Sequence, residues 1–343
     1  MSDVLPKAKW GKIGIIVPAY NIEHLIERCI KSLLNQEGAN YRIILVNDGS
    51  TDKTGIVAEQ MATIHSDKLV VLHKGNGGQS SARNMGLQYC DDCQYIAFVD
   101  GDDYVAPNYL SKLLHVLIED DCDISMCSSN RCYGDDGKGK RFDSGFSRDF
   151  VSGDIERILE KSSFVPWNKL YKKELWKNIR FPEGITYEDM ATIPQVMYKA
   201  KKIGYTHEVL YHYFVNVHST IMSKRETTDR NIIEAQTILE HSELKQQPEL
   251  LENIYIRRVL TGMCYTLIAH AEDNNLVREL VERAHKNYPD ICNNPLIQKA
   301  SRRNRIYLRL LLGKKYRVCS LYVRTYETIR SHIAAIYHIV KHS

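Results

Sequence analysis

The sequence predicts an α/β fold: a mostly parallel, Rossmann-like sheet flanked by helices, with a helical C-terminal extension. Over the first 130 residues, short β-branched runs alternate with amphipathic segments, as in strands joined by crossover helices. Polar clusters follow these runs and do not interrupt them. After about Thr227 the apolar residues keep helical spacing to the end of the chain.

Each predicted element rests on its local pattern. Ile13–Ala19 reads IGIIVPA, which suits a buried parallel strand, and Ile22–Gln36 places apolar residues at helical spacing. The same signals predict, in chain order, a strand at Arg42–Val46, a helix from Thr51 or Asp52 to about His65, a strand at Leu69–Leu72, a helix from Gly77 through Tyr89, a strand at Tyr95–Val99, a helix at Pro107–Glu119, a strand at Asp123–Ser128, and, after a mixed stretch, a helix near Met190–Lys199 and a strand near Val209–Phe214.

Length and charge indicate two parts. The 343 residues are more than one compact core usually holds, so we expect an α/β domain over 1–225 and a helical region over 226–343. The chain has a net charge of +4, but residues 301–343 hold ten Lys/Arg and one acid, Glu327. This basic, amphipathic tail predicts an anionic membrane surface as its partner, or a helical bundle with solvated charges. The acidic remainder and the lack of a recognition motif disfavour nucleic acid.

The sequence contains no segment that predicts membrane insertion or export. Residues 1–12 lack the apolar run of a signal peptide, and no stretch reaches the about 18 apolar residues of a membrane span. The nine cysteines show no paired CxxC pattern and suit reduced thiols. We therefore expect a cytoplasmic protein, peripheral at most at the inner face of the cell membrane.

Acidic residues follow two of the predicted strands. Asp100, Asp102 and Asp103 come directly after the fourth strand, and Asp48 follows the second. Ligands of parallel sheets bind beyond the carboxyl ends of the strands. Three clustered carboxylates suit Mn²⁺ or Mg²⁺, which bridge to phosphate oxygens; the alternative is a solvated acidic turn. Asp48 could accept a hydrogen bond from a base or a ribose, or could instead form an Asx-turn or helix cap.

Four motifs in register resemble the family 2 glycosyltransferases with the GT-A fold over roughly residues 13–220. They are Val17-Pro18-Ala19-Tyr20-Asn21, Val46-Asn47-Asp48-Gly49-Ser50-Thr51-Asp52, Gly77-Gly78 to Ala82-Arg83-Asn84-x-Gly86, and Phe98-Val99-Asp100-Gly101-Asp102-Asp103. The resemblance implies nucleotide-sugar binding by 1–130 and acceptor binding and catalysis by 131–225.

The resemblance also implies roles for individual residues. Those implied to contact the donor are Pro18, Ala19 and Tyr20 around the base, Asp48 on the base (usually uracil), Glu23 and Arg83 toward the nucleoside or diphosphate, and Asp100 on the ribose or metal. Asp102 is the implied principal metal ligand. Asp103 occupies a more variable position of the motif.

A second acidic motif, Tyr187-Glu188-Asp189, lies at the start of a predicted helix. Inverting transfer needs a base for the acceptor hydroxyl, and the family resemblance implies that Asp189 is that base. The alternative is a pair of solvated acids favoured by the helix N-terminus. Lys169 and His218 are candidates to assist the leaving diphosphate. The chain departs from the family at Phe214, where an Arg often stands.

The resemblance thus implies an inverting glycosyltransferase that moves a sugar from a nucleotide-diphosphate donor, a UDP-sugar, to a hydroxyl of a lipid-linked or polysaccharide acceptor in cell-surface glycan synthesis. The alternative is a non-catalytic nucleotide-sugar-binding or membrane-adaptor protein that retains the fold. A nucleotide-sugar pyrophosphorylase or a Rossmann dehydrogenase is disfavoured, because the first strand is followed by Pro18-Ala19-Tyr20-Asn21 and not by a glycine-rich phosphate loop.

Overall fold

The computed structural model describes residues 11–133, 139–142, 146–215, 230–270 and 274–342, without the side chains of 139–142, 274 and 333–342. The chain divides into two compact units, Met1–Lys224 and Arg225–Ser343. The first unit contains a ten-stranded sheet with the order β3-β2-β1-β4-β9-β6-β10-β5, in which β7 pairs with β6 and β8 with β10. Its strands are β1 (Ile13–Ala19), β2 (Tyr41–Asp48), β3 (Leu69–Lys74), β4 (Tyr95–Phe98), β5 (Tyr104–Val105), β6 (Ile124–Cys132), β7 (Gly139–Phe142), β8 (Phe150–Ser152), β9 (Lys169–Lys172) and β10 (Ile203–Phe214).

The first half of the sheet, β3-β2-β1-β4, is wholly parallel. All seven residues of β1 are buried, as a continuous apolar run predicts for a strand covered on both faces. Beyond β4 the sheet is mixed, because β9 pairs antiparallel with both β4 and β6. The predicted α/β class is confirmed. The strands are parallel in the half of the sheet that contains β2 and β4, the strands that lead into the acidic motifs.

Helices cover this sheet. In the first unit they are α1 (Ile26–Leu34), α2 (Thr54–Ile64), α3 (Gly78–Gln88), α4 (Tyr109–Glu119), α5 (Ile155–Lys161) and α6 (Glu188–Tyr198), with a 3₁₀ turn at Lys173–Trp176. The amphipathic spacing of α1 buries Ile26, Cys29, Ile30 and Leu33. This helix begins four residues later than predicted. The Ile22 N–H bonds instead to Thr54 Oγ1 at 2.8 Å, which ties the chain after β1 to the start of α2.

The second unit is helical in the residues described, which confirms the predicted C-terminal extension. Its α-helices are α7 (Asn231–His241), α8 (Pro248–Ile254), α9 (Tyr265–Ala269), α10 (Asn274–Asn287), α11 (Pro295–Lys299), α12 (Arg302–Leu312) and α13 (Tyr316–His342), with 3₁₀ turns at Glu243–Gln246 and Ile291–Asn293 and a π-helix at Tyr255–Cys264. The Tyr307 hydroxyl donates to the Leu260 carbonyl at 2.7 Å and thereby joins α12 to the π-helix. Over the described stretches, the helices all lack the length or apolarity needed to cross a bilayer.

Candidate active site

The predicted site residues at the ends of β1, β2 and β4 lie along one edge of the parallel half-sheet. Pro18 and Ala19 are buried at the end of β1, and Tyr20, the next residue, is 44% exposed. Asp48 is the last residue of β2, and Asp100 lies two residues after the end of β4. This edge is where a parallel sheet binds ligands.

Asp48 is buried and joins β2 to α3. Its carboxylate accepts the N–H groups of Gly77 and Gly78 at 3.0 and 2.7 Å, and Lys74 Nζ at 2.6 Å. The next residue, Gly49, has φ +72°, and a Cβ there would lie 2.6 Å from the backbone nitrogen of Asn76. Only glycine fits this close, left-handed turn. The carboxylate therefore fixes the loop that leads into α3, and its contact with a base stays a prediction.

Glu23 links the loops that follow β1 and β2. Its carboxylate accepts the N–H of Lys53 at 2.8 Å, while its own N–H donates to Asp52 at 3.1 Å. Nearby, the Asn21 side chain accepts the N–H of Thr51 at 2.8 Å. These reciprocal bonds hold the two loops together. In this structure Glu23 thus stabilises the two loops, and its predicted contact with the donor stays a prediction.

The Asp100–Asp103 loop packs directly against the end of β1. A Cβ at Gly101 would lie 2.9 Å from the Pro18 carbonyl, so the middle residue of the motif must be small. Burial, followed by the charge of Asp100, raises the pKa of Asp102 to about 6. The Asp102 carboxylate accepts no hydrogen bond from another described side chain. It is the acid of this loop that is available to a cation.

Asp103 has a different environment. It is fully buried, and its two oxygens accept the Tyr211 hydroxyl at 2.6 Å and the Phe214 N–H at 2.7 Å. Burial, followed by the charges of Asp102 and Asp100, raises its pKa well above the usual range. Asp103 therefore ties the acidic loop to the end of β10 and does not face a ligand.

Arg83 connects this loop to the second acidic motif. Its guanidinium, 2% exposed, donates to Asp100 Oδ1 and to Glu188 Oε1, each at 2.8 Å. Arg83 and Gln79 lie one turn apart on α3, and Gln79 also donates to Asp100, at 3.1 Å. Acids that are 88 residues apart in sequence are thereby held around one buried arginine. The predicted contact of Arg83 with donor stays a prediction, since the guanidinium bonds to protein acids here.

Asp189 is the acid of the second motif that lacks an ion pair within the described part of the chain. Its carboxylate accepts the N–H of Met190 at 2.7 Å. Burial, followed by the adjacent charge of Glu188, raises the pKa of Asp189 to about 7. Tyr187, just before α6, has φ 63°. A bulky residue in this left-handed region is strained, and such strain clusters at functional sites.

Two residues, Lys169 and His218, were predicted to assist the leaving diphosphate, and the structure describes one of them. Lys169 begins β9 and is 1% exposed, with Nζ donating to the Val165 carbonyl at 2.8 Å and to Asn168 Oδ1 at 2.9 Å. Its ammonium group stabilises its own loop, and a role at the diphosphate stays a prediction. His218 lies outside the described residues.

Comparison with known proteins gives the same assignment as the motifs. Residues 14–198 match the family model described as Glycosyl transferase family 2. The chain belongs to glycosyltransferase family 2. It is 34% identical over 226 residues to the uncharacterized glycosyltransferase EpsJ of Bacillus subtilis, covering 60% of this chain and 62% of EpsJ. It is 32% identical over 206 residues to the minor teichoic acid biosynthesis protein GgaB of the same organism, covering 59% of this chain and 23% of GgaB.

The chain therefore spans less than two thirds of the length of these family 2 relatives. Among solved structures, S. aureus TarS 1–349 in complex with UDP-GlcNAc superposes with a TM-score of 0.71 and 19% identity, over 92% of each chain. At that identity the likeness shows the shared fold. It covers the helical second unit as well as the sheet.

The acidic loop fits a divalent cation. Mg²⁺ and Mn²⁺ prefer oxygen ligands, and in nucleotide sites one or two carboxylates suffice because substrate phosphates complete the coordination. Asp102 supplies a carboxylate that accepts no hydrogen bond from another side chain in the described part of the chain, and Asp100 lies two residues away in sequence. Across the described ranges, His, Cys, Asp and Glu side chains nowhere form a group of three that could hold a metal by themselves. The Asp102 carboxylate thus suits a divalent cation whose coordination substrate phosphates complete.

Several residues of this family 2 site escaped sequence reasoning. Lys74 is the last residue of β3, and because β3 and β2 end at the same edge of the sheet, its contact with Asp48 could have been predicted. Gln79 could have been paired with Arg83 from their helical spacing. Tyr211 gave no signal, because its contact with Asp103 spans 108 residues and depends on how β10 pairs in the sheet.

Proposed function

We propose that this family 2 member is an inverting transferase that moves a sugar from a UDP-sugar to an acceptor hydroxyl. In this scheme 1–130 binds the donor, and 131–225 binds the acceptor and supplies the base. Pro18, Ala19, Tyr20 and Asp48 line the base end, and Asp100 and Asp102 lie at the diphosphate end. A divalent cation, when bound, supplies positive charge to the diphosphate as it leaves.

The contact of Arg83 with both Asp100 and Glu188 carries this proposal. It joins Asp100, in the acidic loop proposed to bind the donor, to the start of α6, where Asp189 is the proposed base. The Glu188 carboxylate is engaged in an ion pair with Arg83 at 2.8 Å. Asp189 has no ion pair among the described residues, and its pKa is raised to about 7, so it can accept a proton near neutral pH. A single base beside the donor acids is what direct displacement with inversion requires.

The test is a screen of UDP-sugars with Mn²⁺ or Mg²⁺, in which released UDP is measured with and without candidate acceptors. We expect one UDP-sugar to be turned over, slowly by water and faster with an acceptor hydroxyl. NMR of the product then shows whether the anomeric configuration is inverted. Binding of UDP by calorimetry without turnover of any donor would favour the alternative, a non-catalytic nucleotide-sugar-binding protein.

The acceptor belongs, in our proposal, to a cell-surface glycan that is lipid-linked or polymeric. The relative GgaB is named as a minor teichoic acid biosynthesis protein, which supports this class of acceptor. We place the enzyme at the cytoplasmic face of the cell membrane, where nucleotide sugars meet lipid-linked acceptors.

The tail 301–343 is the proposed membrane contact. On α13 the apolar side chains of Val318, Leu321 and Ile329 are 54%, 70% and 54% exposed, and their spacing places them along one side of the helix. Exposed Lys314 lies two residues before α13, and exposed Arg317 lies in its first turn, adjacent to Val318 in sequence. An apolar stripe flanked by basic residues fits an anionic lipid surface.

We expect the protein to sediment with vesicles containing 30% phosphatidylglycerol and not with pure phosphatidylcholine vesicles. Each basic residue near anionic lipid contributes about 1 kcal/mol, so Lys314→Gln with Arg317→Gln should weaken binding at least about tenfold. The matched control, Lys161→Gln with Lys177→Gln, makes the same charge change on the first unit and should bind as wild type does. Equal loss in both double variants would contradict a specific tail contact.

A further inference from the structure

We infer that Tyr211 and Arg28 are positioning residues that hold the Asp100–Asp103 loop so that Asp102 meets the cation of the donor. This inference rests on the proposed function and adds two residues that no motif of the family 2 resemblance includes. Neither residue lies in the loop it holds. Each contacts the loop at a different point.

The Tyr211 hydroxyl closes the loop at both ends. It accepts the N–H of Asp100 at 3.2 Å and donates to Asp103 Oδ2 at 2.6 Å. One buried oxygen thus joins the first and last residues of the turn, with Asp102 between them. The ring is held in turn by Trp167, stacked at 4.5 Å between centroids. The hydroxyl position is therefore fixed by packing and not by the loop itself.

Arg28 holds the middle of the loop. Its Nη2 donates to the backbone carbonyl of Asp102 at 2.8 Å. The guanidinium lies 4.7 Å from the ring centroid of Tyr104 and 4.3 Å from that of Phe214, and Tyr104 itself stacks on His212 at 4.7 Å. A planar cation between aromatic rings has a fixed orientation.

These contacts restrain the backbone at Asp102. Its carbonyl accepts a hydrogen bond from Arg28, and the other two acids of the loop are bonded elsewhere, Asp100 to Arg83 and Asp103 to Tyr211. The backbone of Asp102 therefore has little freedom, while its carboxylate remains available. Ligands held in advance bind a metal more tightly than ligands that must be ordered on binding. Arg28 also supplies a cation beside Phe214, the position at which an Arg often stands in the family.

Calorimetry of MnCl₂ binding to protein saturated with UDP tests this inference. We expect Tyr211→Phe and Arg28→Met each to weaken Mn²⁺ about tenfold or more, because each removes a hydrogen bond that fixes the loop. UDP affinity measured in EDTA should stay within about twofold of wild type. A merely structural defect would lower UDP affinity as well. Tyr205→Phe is the matched control, since Tyr205 is a buried tyrosine of β10 whose hydroxyl bonds to Ser128 and Phe146, not to the loop.

Melting temperatures show which variants fold. If Tyr211→Phe does not fold, the test rests on Arg28→Met, because Arg28 is only half-buried. Arg28→Lys is expected to recover part of the Mn²⁺ affinity that Arg28→Met loses. Folded variants that bind Mn²⁺ within about twofold of wild type overturn the positioning role and leave the proposed function in place. A wild-type chain that binds neither UDP nor Mn²⁺ overturns the proposed function, and this inference with it.

Discussion

Replacing Asp189 with Asn is expected to lower the rate of sugar transfer about 10³-fold, within the range that a general base contributes. The two side chains have nearly the same shape, and the Asn carbonyl can still accept the N–H of Met190 that Asp189 accepts at 2.7 Å. The helix start should therefore survive while the base is lost. Donor binding, measured as UDP affinity, should change little, so the effect should appear in kcat and not in KM for the donor.

The pH dependence of the wild-type enzyme gives a second view of the same residue. The raised pKa of Asp189, about 7, means that the carboxyl is largely protonated below neutral pH and cannot accept a proton. We expect kcat/KM to rise through about pH 7 and then level, because kcat/KM reports the free enzyme. In Asp189→Asn this acid limb should vanish from the residual rate.

A control removes one carboxylate elsewhere. Asp67 is exposed between α2 and β3, and Asp67→Asn should keep wild-type rates and the wild-type pH profile. If Asp189→Asn kept more than about a tenth of the rate, Asp189 would not be the base. Glu188 would not simply replace it in that role, because it is ion-paired to Arg83 at 2.8 Å.

Local pattern was enough to predict the parallel half of the sheet. β1 has the predicted bounds, since the continuous apolar run between Lys12 and Tyr20 leaves little choice of ends. The acidic motifs follow parallel strands, so their common edge follows from topology alone. The α1 start was less accurate. The Thr54 hydroxyl that holds Ile22 lies 32 residues away, and local spacing carries no information about it.

The pairing of distant strands could not be read from the sequence. β9 inserts antiparallel between β4 and β6, which depends on long-range contacts and not on the apolar pattern of its four residues. Lys169 illustrates the consequence: as a sequence letter it suggests an exposed cation, yet β9 buries it and its ammonium bonds to backbone carbonyls. Asp103 is similar: in the sequence its carboxylate suggests a metal ligand, whereas in the structure it is buried and accepts a hydrogen bond from Tyr211.

Asp102→Asn is expected to lower transfer about 10²–10³-fold and to raise the Mn²⁺ concentration needed for half-maximal rate, because an amide is a weaker ligand than a carboxylate. EDTA should abolish wild-type transfer, and added Mn²⁺ should restore it. Asp67→Asn again serves as the control and should respond to Mn²⁺ as wild type does. The two variants should also respond differently to the metal: excess Mn²⁺ should recover part of the rate of Asp102→Asn and none of the rate of Asp189→Asn.

Wild-type transfer that continues unchanged in EDTA would exclude a metal-dependent mechanism. Arg83, held between Asp100 and Glu188, would then be the positive charge to test next for a contact with the diphosphate.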